Sequence, residues 1–156
     1  MHTSILLAAM VVPVAFATHV PDATASGRKG FRAVVFSGVS LKEPVRVEGF
    51  DQATELYLGL IRGTALPTDS LGILNERTCL QVSVFIYREN TVHIPIQELR
   101  GDYNYRLYLF GPGVPPVLSL KEGIARRMTP YAAALLSELG VPVTASEPRG
   151  EVCAVS

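Results

Sequence analysis

The chain has 156 residues, and its 14 basic and 14 acidic side chains cancel to a net charge of zero. This length is sufficient for one domain with a substantial hydrophobic core. The balanced charge argues against a nucleic-acid partner, which requires a clustered positive excess, and it offers no polybasic segment to an anionic membrane surface.

An apolar run, from Ile5 to Ala17, lies at the beginning of the sequence. It is shorter than the ~20 residues that a membrane-spanning helix needs, and the AFA sequence at its end suits cleavage by signal peptidase. No Lys or Arg precedes the run, which is atypical of a signal peptide. We expect residues 1–17 to be a cleaved signal peptide of a secreted or extracytoplasmic protein. An uncleaved membrane anchor and an ordinary buried helix are the alternatives.

The remainder divides by composition into three parts. Residues 18–30 predict a flexible linker, residues 31–143 a single folded domain, and residues 144–156 a C-terminal tail.

The first half of the predicted domain contains two strands and a helix. Residues 31–36 (FRAVVF) and 45–48 (VRVE) alternate or run apolar on either side of a turn-rich connector. Asp51 is expected to cap a helix with apolar residues at helical spacing, and Gly63 is expected to end it. The segment 64–78, which contains Pro, Gly, Asp and Asn, predicts a long connection.

The second half predicts several more strands and a second helix. In the strongest strand pattern, residues 80–88, Leu and Val side chains alternate with more polar ones. Alternation resumes at residues 92–96, where Pro95 restricts the predicted strand to an edge or a short element. Residues 103–110 and 117–120 predict further strands. The last helix is expected to start after a Thr129 cap and to stop at Gly140.

This order of elements, with hairpin-length connections between most strands, predicts the fold class. We expect an α+β fold with a mainly antiparallel sheet of about five to six strands and two helices packed on one face.

Aromatic residues on the predicted strand at 103–110 are the main candidates for a binding surface. Tyr103 and Tyr105 share one face of that strand, whereas Tyr108 and Phe110 lie on the other. With the loop GPGVPP at residues 111–116, they are expected to contact a ligand or partner. Packing in the core and cross-strand aromatic pairing are the alternative explanation.

Charged residues provide weaker candidates. Arg126 and Arg127 precede the predicted start of the last helix and could hold an anion there. Asp51 and Glu55 are one helical turn apart, but negative charge in a first helical turn is usually structural. His93 has no nucleophile or carboxylate near it in sequence and is expected at the surface.

Cys79 and Cys153 are the only cysteines of the chain. In an oxidising compartment they could form one disulfide, and the alternative is a buried small residue and a thiol in the tail. The sequence contains no CxxC, HExxH, GxSxG or dinucleotide-binding motif, so we predict no metal and no cofactor.

These observations favour an exported soluble domain that acts without catalysis as a binding, sensing or scaffold module. Its partner would be a protein or small-molecule ligand rather than nucleic acid, and no membrane insertion is expected after signal removal. One alternative is a small exported hydrolase or transferase that uses His93 and a carboxylate brought close by folding. The other is a membrane-tethered extracytoplasmic domain that keeps its N-terminal segment.

Overall fold

The computed structural model describes residues 29–74, 77–121 and 123–145, which form a mixed α+β fold around one antiparallel sheet of seven strands. The predicted signal peptide lies outside the described residues, as do most of the predicted linker and tail. The strands are β1 (Phe31–Ser37), β2 (Val45–Glu48), β3 (Thr64–Ala65), β4 (Cys79–Ile86), β5 (Tyr103–Tyr108), β6 (Val117–Lys121) and β7 (Ile124–Arg127). The helices are α1 (Phe50–Ile61) and α2 (Pro130–Glu138). The strand order is β2-β1-β4-β5-β6-β7-β3.

The main hydrophobic core lies between one face of the sheet and the two helices. Its centre is β4, where Leu80, Val82 and Val84 are fully buried, as the alternation of the sequence predicts. Helix α1 adds Leu56 and Leu60 to this cluster, and α2 adds Ala132 and Leu136. Both helices therefore bury their apolar side chains in the same core.

The two helices begin differently. Thr129 caps α2, because its side-chain oxygen accepts a hydrogen bond from the backbone N–H of Ala132 at 3.2 Å. The prediction that Asp51 caps α1 is wrong, since that helix starts at Phe50 and Gly49 occupies the cap position without a side-chain hydrogen bond. Asp51 instead lies in the first turn, where its negative charge interacts favourably with the positive end of the helix dipole.

The strand predicted at residues 92–96 is absent. Short 3-10 turns at Glu89–Thr91 and Ile96–Glu98 replace it. The Arg32 guanidinium donates hydrogen bonds to the carbonyl oxygens of Thr91 and Ile94, both at 2.6 Å. Side-chain donors thus satisfy backbone carbonyls that a strand would have paired with a neighbour, and Pro95 could not have donated to such a neighbour.

Two strands were not predicted, which accounts for seven strands instead of five to six. β3 has only two residues and pairs with β7 through Thr64–Arg127 and Ala65–Arg126. β7 follows β6 after a tight turn that includes Gly123, with a positive φ of 76°. Polar residues occupy half of β7, so its sequence carries little of the alternation that marks a strand.

A 3-10 helix and a connecting segment, not α-helices, cover the two ends of the second face of the sheet. The segment at Thr68–Leu74 brings Leu74 against Phe110, Val117 and Ala125 at one end. At the other end, the β4–β5 connection brings Ile96 against Ala33 and Phe85. Each end of this face therefore carries a small apolar cluster of its own.

Gly63, after the end of α1, lies directly against the backbone of β7. A Cβ atom at this position would overlap the carbonyl oxygen of Arg127 and would come within 3.4 Å of the Met128 Cα. A Cβ atom built on Gly59, inside α1, meets no atom within 4 Å apart from the adjoining helix backbone. The two glycines therefore allow a matched comparison.

We expect Gly63→Ala to lower the free energy of unfolding by about 1–3 kcal/mol, because backbone must move to admit the methyl group. Gly59→Ala should raise it by about 0.5–1 kcal/mol, because alanine is the better helix former. Urea unfolding followed by circular dichroism measures both values. Equal stability of the two variants would contradict the close approach of Gly63 to β7.

Candidate functional site

Four aromatic rings form a continuous row on the helix-covered side of the sheet, here called the aromatic strip: Phe31, Tyr57, Tyr105 and Tyr103. The ring centroids of Phe31 and Tyr57 are 4.1 Å apart, and those of Tyr57 and Tyr105 are 6.3 Å apart. Tyr103 and Tyr105 stack with 6.0 Å between centroids and an interplanar angle of 5°. The row crosses from β1 over α1 to β5.

Only the last ring of the aromatic strip is exposed. Phe31, Tyr57 and Tyr105 are half-buried and pack against the main core, whereas Tyr103 at the end is 42% exposed. The strip therefore presents one accessible ring whose neighbours are fixed by the core. Such a ring can contact a ligand at little cost in side-chain entropy.

Hydrogen bonds fix both ends of the aromatic strip. The backbone N–H of Phe31 donates to Thr54 Oγ1 of α1 at 2.9 Å, which attaches the helix to β1. At the other end, Asp102 accepts a hydrogen bond from the Ile86 N–H at 2.7 Å and pairs with Arg88 at 2.6 Å. These contacts hold the start of β5 against β4, directly before Tyr103.

The hydroxyl groups of Tyr57 and Tyr105 lie 3.2 Å apart and share a hydrogen bond. Burial raises the pKa of Tyr105 above the ordinary tyrosine value. The hydrogen bond with Tyr57 raises this pKa further, because it favours the neutral phenol. The nearby phenols of Tyr57 and Tyr103 also raise it, because two phenolate charges so close together would repel each other. Tyr105 is therefore held in its neutral, hydrogen-bonding form.

As the alternation along the strand predicts, the aromatic set is divided between the two faces of the sheet. Tyr103 and Tyr105 belong to the aromatic strip, whereas Tyr108 and Phe110 pack in the cluster of Leu74 on the opposite face. Phe110 is 6% exposed, and the Arg77 guanidinium lies 5.3 Å from its ring centroid. Phe110 therefore packs in the core, the alternative explanation for the set, and Tyr108 is half-buried against the same cluster.

The loop at residues 111–116 follows the far end of β5 from Tyr103. Val114 is exposed and Pro116 is buried, with its carbonyl accepting a hydrogen bond from the Met128 N–H at 2.8 Å. The loop therefore lies at the Tyr108 end of β5, whereas the exposed ring of Tyr103 lies at the other end.

Arg126 and Arg127 are on β7 and point to opposite faces of the sheet. Arg126 is paired with Leu118, on the core face, and donates to the Gly63 carbonyl oxygen at 3.1 Å. Arg127 is paired with Val117, on the other face. The two guanidinium groups therefore do not converge on one anion.

The remaining charged candidates lie on exposed positions. Asp51 and Glu55 are exposed on α1. His93 is exposed in the turn between β4 and β5, and no ion pair or hydrogen bond with a carboxylate is found for it among the described residues. These positions bring no acid–base pair together around His93.

Cys79 is 6% exposed at the start of β4, opposite Tyr108 of β5. Cys153 lies outside the described residues, so the disulfide between the two cysteines stays a prediction.

Sequence reasoning missed two members of the aromatic strip, Phe31 and Tyr57. By its spacing Tyr57 belongs to the apolar face of the predicted helix, and Phe31 is the first residue of the first predicted strand. The available signal was the polar hydroxyl of Tyr57 on an otherwise apolar helix face, since a partly buried tyrosine usually has a hydrogen-bond partner. That the hydrogen-bond partner of Tyr57 is Tyr105 depends on packing between segments distant in sequence.

No protein family matches this chain, and neither a curated protein nor a solved structure shows significant similarity to it. In the part of the chain that the structure describes, no three His, Cys, Asp or Glu side chains are grouped as metal ligands. No helix among those residues is long and apolar enough to cross a membrane.

The raised pKa of Tyr105 predicts a loss of stability in alkali. The unfolded chain releases the Tyr105 proton near pH 10, while the folded protein keeps it, so the unfolded state binds fewer protons. This contribution is complete below pH ~10 and should decrease as the pH rises above that value. Between pH ~9 and ~11, the slope of the unfolding free energy against pH gives the number of protons released on unfolding. We expect Tyr105→Phe to lower that number by up to about one.

Chemical unfolding at several pH values measures this dependence. Tyr131→Phe is the matched control, because Tyr131 is 66% exposed on α2 and lies outside the aromatic strip. If Tyr105→Phe and the wild-type protein had the same pH dependence, the buried, hydrogen-bonded state of Tyr105 would be refuted.

Proposed function

We propose that this protein is an exported single-domain binding module, without catalysis of its own, that uses the aromatic strip as its contact surface. The observation that carries the proposal is the exposed Tyr103 ring, stacked on Tyr105 at 6.0 Å and followed by half-buried Tyr57. Aromatic side chains in such a fixed arrangement are frequent energetic centres of binding interfaces.

The chemistry of the aromatic strip defines the kind of ligand. The accessible surface combines the face or edge of a phenol ring with a hydroxyl group that can donate and accept a hydrogen bond. A protein side chain or small molecule with a flat or aliphatic surface and an adjacent polar group fits these properties. Salt would have little effect on such binding, because the aromatic strip itself carries no charge.

The exposed position of His93 favours this module over a hydrolase or transferase. A general base must lie within hydrogen-bond reach of its substrate and is usually oriented by a second group. His93 lies in a surface turn among the described residues without a carboxylate partner.

The proposal predicts that Tyr103→Ala weakens ligand capture by about tenfold or more, the effect of losing ~1.4 kcal/mol of contact energy. Affinity capture from the extracytoplasmic fraction of the native cells, with quantitative mass spectrometry, compares the variants. Tyr131→Ala removes an even more exposed tyrosine from α2 and is the matched control. Ligands of the aromatic strip should be lost with Tyr103→Ala and retained with Tyr131→Ala.

Thermal unfolding of both variants verifies that each remains folded. Identical capture by the wild-type protein and Tyr103→Ala would rule out the aromatic strip as the contact surface.

Export and a Cys79–Cys153 disulfide are the second part of the proposal. The Ala145 N–H donates to the Phe110 carbonyl oxygen at 2.8 Å, which brings the C-terminal part of the chain to the end of β5. Cys79 is near that end, opposite Tyr108. The eight residues from Ala145 to Cys153 can span about 26–29 Å when extended, so chain length allows the bridge.

We expect the extracytoplasmic protein to begin at Thr18 and to have the mass of residues 18–156 less two hydrogen atoms. Intact-mass measurement before and after reduction detects both changes, because only reduction restores the two hydrogens. Cys153→Ser is the control and should show no shift on reduction. An intact Met1 in the membrane fraction would contradict cleavage, and an unshifted mass on reduction would contradict the disulfide.

A further inference from the structure

The outer edge of β2 lies at one end of the sheet and has no neighbouring strand among the described residues. We infer that this edge pairs antiparallel with the β2 strand of a second copy of the chain, with Val47 facing Val47 across a two-fold axis. The resulting dimer joins the two sheets into one. Free strand edges are the usual sites of such pairing.

Hydrogen bonds to β1 show which backbone groups of β2 are free. The Gly49 N–H donates to the Arg32 carbonyl oxygen at 3.0 Å, so Arg32 and Gly49 are a hydrogen-bonded pair. Bonded and non-bonded pairs alternate along an antiparallel ladder. Val45 and Val47 therefore also bond to β1, whereas the N–H and C=O groups of Arg46 and Glu48 point away from the sheet.

The outward groups of Arg46 and Glu48 allow three symmetric registers. One places Arg46 opposite Arg46 of the second copy, and another places Glu48 opposite Glu48, so each sets like charges side by side. The third places Arg46 opposite Glu48 in both directions and forms four backbone hydrogen bonds. Opposite charges stabilise a cross-strand pair and like charges destabilise it. The charge pattern of β2 thus selects the register centred on Val47.

The environment of the two side chains fits this arrangement. Arg46 and Glu48 are both exposed, on the face of the sheet opposite the helices. Val47 is 8% exposed and belongs to the main core, so the centre of the edge is held rigidly. The other end of the sheet offers only the two residues of β3, which is too short for an equivalent ladder.

This inference is independent of the proposed function. The aromatic strip ends on β5, which is separated from β2 by β1 and β4. A dimer through β2 therefore leaves Tyr103 accessible. Because the pairing edge is short, the association should be reversible and detectable only at high protein concentration.

Sedimentation equilibrium tests the proposal. It compares the wild-type protein with the single variants Arg46→Glu and Glu48→Arg and with the double variant that carries both substitutions. Each single substitution turns two attractive cross-strand pairs into two repulsive ones and should weaken dimerisation about tenfold or more. The double variant exchanges the charges and should restore the wild-type dissociation constant. Lys121→Glu, an exposed change on β6, is the charge-matched control and should have no effect.

Amide hydrogen exchange of the wild-type protein provides a test that needs no variant. Protection of the Arg46 and Glu48 amides should increase with protein concentration, while the Val45 and Val47 amides are protected at every concentration by β1. A wild-type protein that stays monomeric, a double variant that fails to recover dimerisation, or concentration-independent Arg46 and Glu48 amides would overturn the inference.

Discussion

The packing of α1 on β1 is the constraint on which the other features of this protein depend. Leu56 and Leu60 of the helix meet Val34 and Val82 of the sheet in one buried cluster. The hydrogen bond from the Phe31 N–H to Thr54 fixes the helix along β1. This packing buries the central strand and also places Tyr57 between Phe31 and Tyr105. The aromatic strip is therefore a continuation of the core to the surface.

The second face of the sheet is closed by a different device. Its two apolar clusters are covered by the 3-10 helix Thr68–Leu74 at one end and by the β4–β5 connection at the other. Arg32 holds one of these connections through hydrogen bonds to the carbonyl oxygens of Thr91 and Ile94. Exposed polar residues such as Gln81 and Asn104 lie on the strands between the clusters. The α-helices therefore lie on only one face of the sheet.

The two proposed interaction surfaces use different properties of the same sheet. The aromatic strip depends on ring side chains that pack against the margin of the main core, and its binding energy would come from ring contacts. The β2 edge depends on backbone groups that no strand of the described fold satisfies, and its specificity comes from the order of Arg46 and Glu48. Because the surfaces lie on different strands, self-association and ligand binding can occur together.

Local sequence patterns determined the α+β class, the faces of β4 and β5 and the start of α2, since alternation, helical spacing and the Thr129-Pro130 pair act within a few residues. Only the tertiary structure decided that β3 pairs with β7. It also decided that residues 92–96 form turns, with hydrogen bonds from Arg32 to the carbonyl oxygens of Thr91 and Ile94, instead of a strand. It also brought Tyr57 of α1 to Tyr105 of β5. The physical reason is that these outcomes depend on contacts between segments tens of residues apart, whose energies no local pattern contains.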